Sequence, residues 1–100
     1  MQEDIITTEE YARQSHTDLL FIKRLSDYGL IEIIIQEQQP CIASQQLPLL
    51  EKYTRLYYEL DINLEGIEAI SHLLQRITDM QTEMENLRRN LQLYRPLHSI

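Results

Sequence analysis

Apolar residues recur at spacings of three and four through most of this chain, and the places where that rhythm breaks divide it into elements. Thr7 is placed as an N-cap, with Glu10 three residues on to return the hydrogen bond and Ile6 positioned to pack on Tyr11. A short helix to about Gln14 follows. Ser15, His16 and Thr17 form a polar turn, and Thr17 caps a second helix whose apolar face is Leu19, Leu20, Ile22 and Leu25. Gly29 then supplies the left-handed position that ends this helix near Tyr28. The β-branched run at 31–35 predicts a strand, and the polar stretch 36–40 a turn. Cys41, Ile42, Ala43 and Ser44 return as its partner, with Pro40 tolerated at the strand start.

Helix, turn, helix and β-hairpin in this order predict a winged helix-turn-helix domain over residues 1–62. Within it, Pro48 opens a third helix carrying Leu49, Leu50, Tyr53, Leu56, Tyr57 and Leu60. Asp61 and Ile62 interrupt the pattern, and Asn63 is a good N-cap for a fourth helix with Glu65 and Glu68 near its positive end. Gly66 costs up to about 1 kcal/mol there against alanine, which points to a close packing approach. Apolar positions then run Ile67, Ile70, Leu74, Ile77, Met80, Met84, Leu87, Leu91 and Tyr94, so one long helix fills 63–95, ahead of a tail at 96–100. The fold class is therefore mainly α, with a small β-hairpin wing and a long C-terminal dimerisation helix.

Two consecutive spacings of three, Leu74 to Ile77 to Met80, shift the apolar stripe around that helix. The expectation is that 67–77 packs on the globular domain while Met80, Met84, Leu87, Leu91 and Tyr94 face a second copy of the chain. Burying these side chains in both copies gains about 15 to 30 kcal/mol gross. Association costs about 4 to 15 kcal/mol, so a homodimer is expected. An antiparallel pairing would bring Glu83 and Glu85 of one chain toward Arg88 and Arg89 of the other.

Charge narrows the function. No lysine or arginine occurs between Leu25 and Glu51, where a winged helix would grip phosphates, and the net charge is -7 with a pI near 4.8. Duplex DNA demands several neutralised phosphates, so nucleic acid is disfavoured and basic proteins become the natural partners. The start Met1-Gln2-Glu3-Asp4 lacks the features of a signal peptide, and no apolar run approaches a membrane span, so a cytoplasmic protein without a membrane partner is expected. Cys41 is the sole cysteine, and with three scattered histidines it supplies neither a disulfide nor a metal set. No nucleophile has a base and an orienting group at a defensible spacing, and there is no glycine-rich phosphate loop. No catalytic residue, cofactor or metal is assigned, and the protein is expected to act by binding.

Ala12, the capped helices, Tyr28-Gly29-Leu30-Ile31, and Leu56, Leu60, Leu64 and Ile67 together resemble the frame of MerR-type regulators, winged helices with a long dimerising C-terminal helix. Such regulators usually carry a basic and aromatic cluster in the second helix, then an arginine and a tyrosine at the wing. Here Lys23 and Arg24 remain, Leu25 replaces an aromatic, and the wing has neither. Arg55-Leu56, Glu59-Leu60, Gly66-Ile67 and the 85–91 stretch with Leu87, Arg88 and Arg89 look more like the bacterial chaperone-modulator (CbpM-like) family. That resemblance implies binding to the J-domain of a DnaJ-like co-chaperone and inhibition of its work with a DnaK-type chaperone. The alternative is a MerR-type DNA-binding transcriptional regulator, with Arg13, Lys23 and Arg24 facing one groove.

Candidate partner contacts are Glu9, Glu10, Asp18, Asp27, Glu32 and Glu37, which make the N-terminal half acidic, with Tyr28 as an aromatic anchor. Against this, Glu9 and Glu10 also suit a helix terminus, and solvated surface charges contribute little. Tyr53 and Tyr57 are expected in the core; Tyr58 with Arg55 and Glu59 is the candidate for an interface. His72, between Glu68 and Arg76, reads as part of an exposed helix face.

Overall fold

A computed structural model describes residues 4–98, with side chains to Tyr94. Its order is β1 (Ile5–Thr7), α1 (Thr8–Ser15), α2 (Leu19–Asp27), β2 (Ile34–Gln36), β3 (Gln39–Ala43), a 3-10 turn (Ser44–Gln46), α3 (Leu47–Tyr58) and α4 (Leu64–His98). This is the mainly helical winged helix expected, and the chain divides into two compact units after Glu68.

The helix ends follow from the capping residues. Thr7 accepts the Glu10 N–H at 3.1 Å, but the Glu10 carboxylate does not reach back as expected; it takes the Arg13 and Gln14 side chains instead. Asp18, not Thr17, is the N-cap of α2, and its carboxylate accepts the Leu20 N–H at 2.9 Å. Thr17 is drawn to the Ser15 hydroxyl, and Asp is as good a cap, so the helix begins one residue later. At the other end Gly29 has φ +75°, with Gly29 N–H donating to the Ser26 carbonyl and Leu30 N–H to the Leu25 carbonyl, both at 2.9 Å. These two bonds define a Schellman ending, and the buried pair Leu25 and Leu30 completes its apolar contact.

The wing differs in detail from the expected hairpin. Only Ile34, Ile35 and Gln36 of the first run pair with β3, because the Glu32 backbone is taken by the Gln46 side-chain amide, which accepts its N–H at 2.8 Å and donates to its carbonyl at 2.7 Å. Glu37 and Gln38 make a two-residue turn, both with positive φ, as a hairpin of this length requires. The return strand starts at Gln39 and ends at Ala43, with Ser44 already in the 3-10 turn. A third strand, β1, pairs with β3 on its other side through Ile5–Ala43, Ile6–Ile42 and Thr7–Cys41. Pro40 thus lies in the central strand. It faces Ile35 one step from the Gln36–Gln39 pair that closes the turn, and β1 does not extend alongside it. In an antiparallel ladder that step exchanges no hydrogen bonds with β2, so the missing N–H costs nothing.

The core joins Tyr11, Phe21, Ile22, Leu25, Leu30, Ile31, Ile42, Leu50, Tyr53, Leu64 and Ile67, with Ile6, Tyr28, Ile33, Leu56 and Tyr57 packed against it. Two expected core residues of α2, Leu19 and Leu20, are exposed, as are Leu49 and Leu60 of the third-helix pattern. A nine-residue helix cannot turn Leu19, Leu20, Phe21 and Ile22 onto one face at 100° per residue, and Phe21 and Ile22 take the interior. Asn63 caps α4, accepting the Gly66 N–H at 2.8 Å. A Cβ on Gly66 would meet Ile62 Cγ2 at 2.8 Å, so the glycine marks the close approach expected of it.

In α4 the last buried residue among those described is Ile67. Leu74 and Ile77, expected to be covered by the domain, are exposed, and Leu73 joins them. The helix also runs through Pro96 to His98, beyond the end expected at residue 95; the last two positions of the expected tail lie outside the described residues.

Candidate partner-binding surface

The side of the domain that a winged helix offers to DNA is built here by α2 and the wing. Between them lies a cleft of about 360 Å3 whose walls are Thr8, Leu19, Ile22, Ile33 and Pro40, with Lys23, Ser26 and Asp27 completing its lining. The cleft is mostly hydrocarbon. Leu19 remains exposed because α2 spends its interior positions on Phe21, Ile22 and Leu25, and Ile33 is half-buried just before the wing begins. Beyond it the wing presents Ile35, Gln36, Glu37, Gln38 and Gln39, all exposed and without a cation. A hydrocarbon slot with an uncharged to acidic wing suits an apolar side chain of a protein better than a phosphate backbone.

The sequence-nominated residues separate into three groups. Asp27 lines the cleft, and Glu37 stands at the exposed turn of the wing. Glu32 is exposed and held beside α3 through its backbone bonds to Gln46. Glu9 and Glu10 sit in the first turn of α1, where the helix dipole favours carboxylates. The Arg13 guanidinium, hydrogen-bonded to Glu10, holds that carboxyl below its ordinary range. Glu10 is thus committed within its own helix.

Asp18, Arg55, Tyr58 and Glu59 form the third group, around the end of α3. The Asp18 N–H donates to the Tyr58 hydroxyl at 3.1 Å, which fixes one tyrosine across two helices. Tyr58 is 44% exposed, whereas Tyr53 is buried and Tyr57 half-buried, the division anticipated from the helix pattern. Phe21, Tyr57 and Tyr58 form an aromatic cluster with ring centroids 4.5 to 5.4 Å apart. Tyr28 takes a different role from an open anchor. Its hydroxyl donates to the Glu65 carboxylate at 3.2 Å, and partial burial, then Glu65, raise the phenol above its ordinary range.

Thr8, Leu19, Ile33 and Pro40 were not among the nominated contacts. The four successive apolar residues opening α2 are the signal that would have found the cleft, since two of them must look outward. Met80, Met84, Leu87, Leu91 and Tyr94 are each more than half exposed on α4, where Glu85 and Arg89 pair within the helix at 3.6 Å. Arg13, Lys23 and Arg24 are exposed on α1 and α2. Among the described residues no helix is long and apolar enough to cross a membrane.

A capped helix-turn-helix followed by a three-stranded wing and a long final helix defines a regulatory class of fold. Residues 6–89 match the family of MerR HTH family regulatory proteins, and the chain belongs to that family. No curated protein and no solved structure matches the chain.

Proposed function

We propose that this regulator works by binding a protein, and that its partner is the J-domain of a DnaJ-like co-chaperone, whose work with a DnaK-type chaperone it blocks by steric competition. The observation that carries this reading is the apolar cleft between α2 and a wing without cations, on the side where the fold would otherwise hold DNA. The chaperone-modulator resemblance at Arg55-Leu56, Glu59-Leu60 and Gly66-Ile67 gives the partner its identity. Opposite potentials raise encounter rate and specificity, which an acidic domain offers to a basic protein. The action needs no chemistry by the regulator, so it is not an enzyme, and it belongs in the cytoplasm. The exposed stripe from Met80 to Tyr94 pairs two copies, giving a homodimer.

Calorimetric titration of the purified chain with a J-domain from the same cell tests the reading. Binding is expected, and Leu19→Asp should weaken it about tenfold or more, as loss of a central apolar contact does. No binding at micromolar concentration with the dimer intact overturns it. Family membership and exposed Arg13, Lys23 and Arg24 favour a second reading, DNA-binding transcriptional control. Its mark is binding to a promoter fragment that weakens steeply with salt.

A further inference from the structure

The end of α3 carries a second recess, separate from the cleft at the wing. It measures about 330 Å3 and is lined by Tyr57, Tyr58, Asp61, Ile62 and Asn63. The two rings meet nearly at right angles, 79° apart with centroids at 5.0 Å. Tyr58 cannot swing freely, since its hydroxyl is held by the Asp18 backbone and its ring stands edge-on to Phe21. Asn63 Oδ1 is spent on the N–H of Gly66. Asp61 is the one charged residue in the lining.

We propose that this recess receives a lysine or arginine side chain of the protein partner, so that Tyr57, Tyr58 and Asp61 form a cation-recognition subsite. Aromatic faces attract cations through the ring quadrupole, and a carboxylate at the same opening adds charge and direction. A smaller cavity against the same two tyrosines shows the contrast. It measures about 60 Å3 and is lined by the chain's own Arg24 and Asp18 beside both tyrosines, Leu20, Phe21 and Leu64. The larger recess has the rings and a carboxylate but no cation of its own among the residues lining it.

The inference rests on the protein-binding reading, and two probes separate their fates. The first is N-acetyl-arginine amide, compared with its uncharged isostere N-acetyl-citrulline amide, titrated into the full chain and followed by amide shifts at residues 57–63. Saturable shifts with the arginine compound, absent with citrulline, are expected. Asp61→Asn should reduce them. Asn suits the left-handed φ of +56° at position 61, so that variant keeps the fold. The second probe is the J-domain, whose affinity should fall about 2- to 5-fold in Asp61→Asn, the range of an exposed ion pair.

Arginine-specific shifts without any J-domain binding support the subsite and sink the partner. Equal shifts with citrulline, or none with either compound, overturn the subsite. So does a J-domain that binds the wild type and Asp61→Asn equally well.

Discussion

Up to Glu68 the chain buries a closed core; after it, no described residue is buried. The charges divide at the same place. Residues 1–68 hold thirteen Asp and Glu against five Lys and Arg, a net of -8, and residues 69–100 hold three against four, a net of +1. The globular unit therefore has a buried core of its own and carries the chain's negative charge. The second unit is nearly neutral and leaves Leu73, Leu74, Ile77, Met80, Met84, Leu87, Leu91, Leu93 and Tyr94 exposed. On the proposed function that apolar face is an interaction site, since helices depend on packing more than on propensity for their stability. On the same reading, recognition falls to the acidic unit and assembly to the helix.

The largest effect should come from breaking the helix and leaving the domain alone. In Leu87→Asp/Leu91→Asp, a dimer loses four buried leucines, about 6 to 12 kcal/mol at the usual 1.5 to 3 each. A micromolar dimer has only about 8 kcal/mol to lose. Sedimentation should show monomers, and helical circular dichroism should fall with the loss of packing along α4. The one-dimensional proton spectrum of the core methyls should keep its native dispersion. A dimer that survives both substitutions would place the partner of this stripe elsewhere.

The converse perturbation is Leu50→Ala, at a side chain with no exposed surface in the centre of the core. Truncation there costs about 2 to 5 kcal/mol through lost transfer energy and the cavity left behind. Urea unfolding monitored by tyrosine fluorescence should report it, since Tyr11, Tyr53 and Tyr57 report on this unit. A loss under 1 kcal/mol would mean that the domain has no closed core of its own, and the contrast with α4 would fail.

How far the sequence could be read follows the same division of labour between local and distant interactions. Caps and glycines act within four or five residues, so Thr7, Gly29, Asn63 and Gly66 announced their roles directly. The wing was harder. Its turn uses Glu37 and Gln38 at positive φ, without the Asn-Gly or Asp-Gly signal, so the polar run 36–40 did not show which two residues turn. Strand β1 is three residues long, too short to show alternation, and its partners lie 34 to 38 positions away. The strand boundary at Ile34 is set by Gln46, which no local pattern in 31–35 contains. At the surface, counting negative charges identified the acidic unit but not its concavities. The cleft depends on which of four apolar residues α2 turns outward, and the tyrosine recess on a hydrogen bond between Asp18 and Tyr58, 40 residues apart.

The smallest expected effect lies within the acidic unit, at Glu10. Its folded carboxyl is held below the ordinary 4.5, first by the hydrogen bond from Arg13, then by that guanidinium's charge and by Gln14. A depressed carboxyl contributes stability above its unfolded value and loses it as pH falls through the folded one. The effect is present at neutral pH and is withdrawn below about 4.5. Glu10→Gln should therefore lower the melting temperature slightly at pH 7 and converge with the wild type in acid. Solvent around both side chains keeps the difference small. Differential scanning calorimetry between pH 7 and 3 reads the convergence, and sedimentation at pH 7 should find assembly through α4 unchanged. If the variant and wild type stayed equally far apart down to pH 3, Glu10 would be acting through helix propensity or packing, and its ion pair with Arg13 would have no part in holding α1.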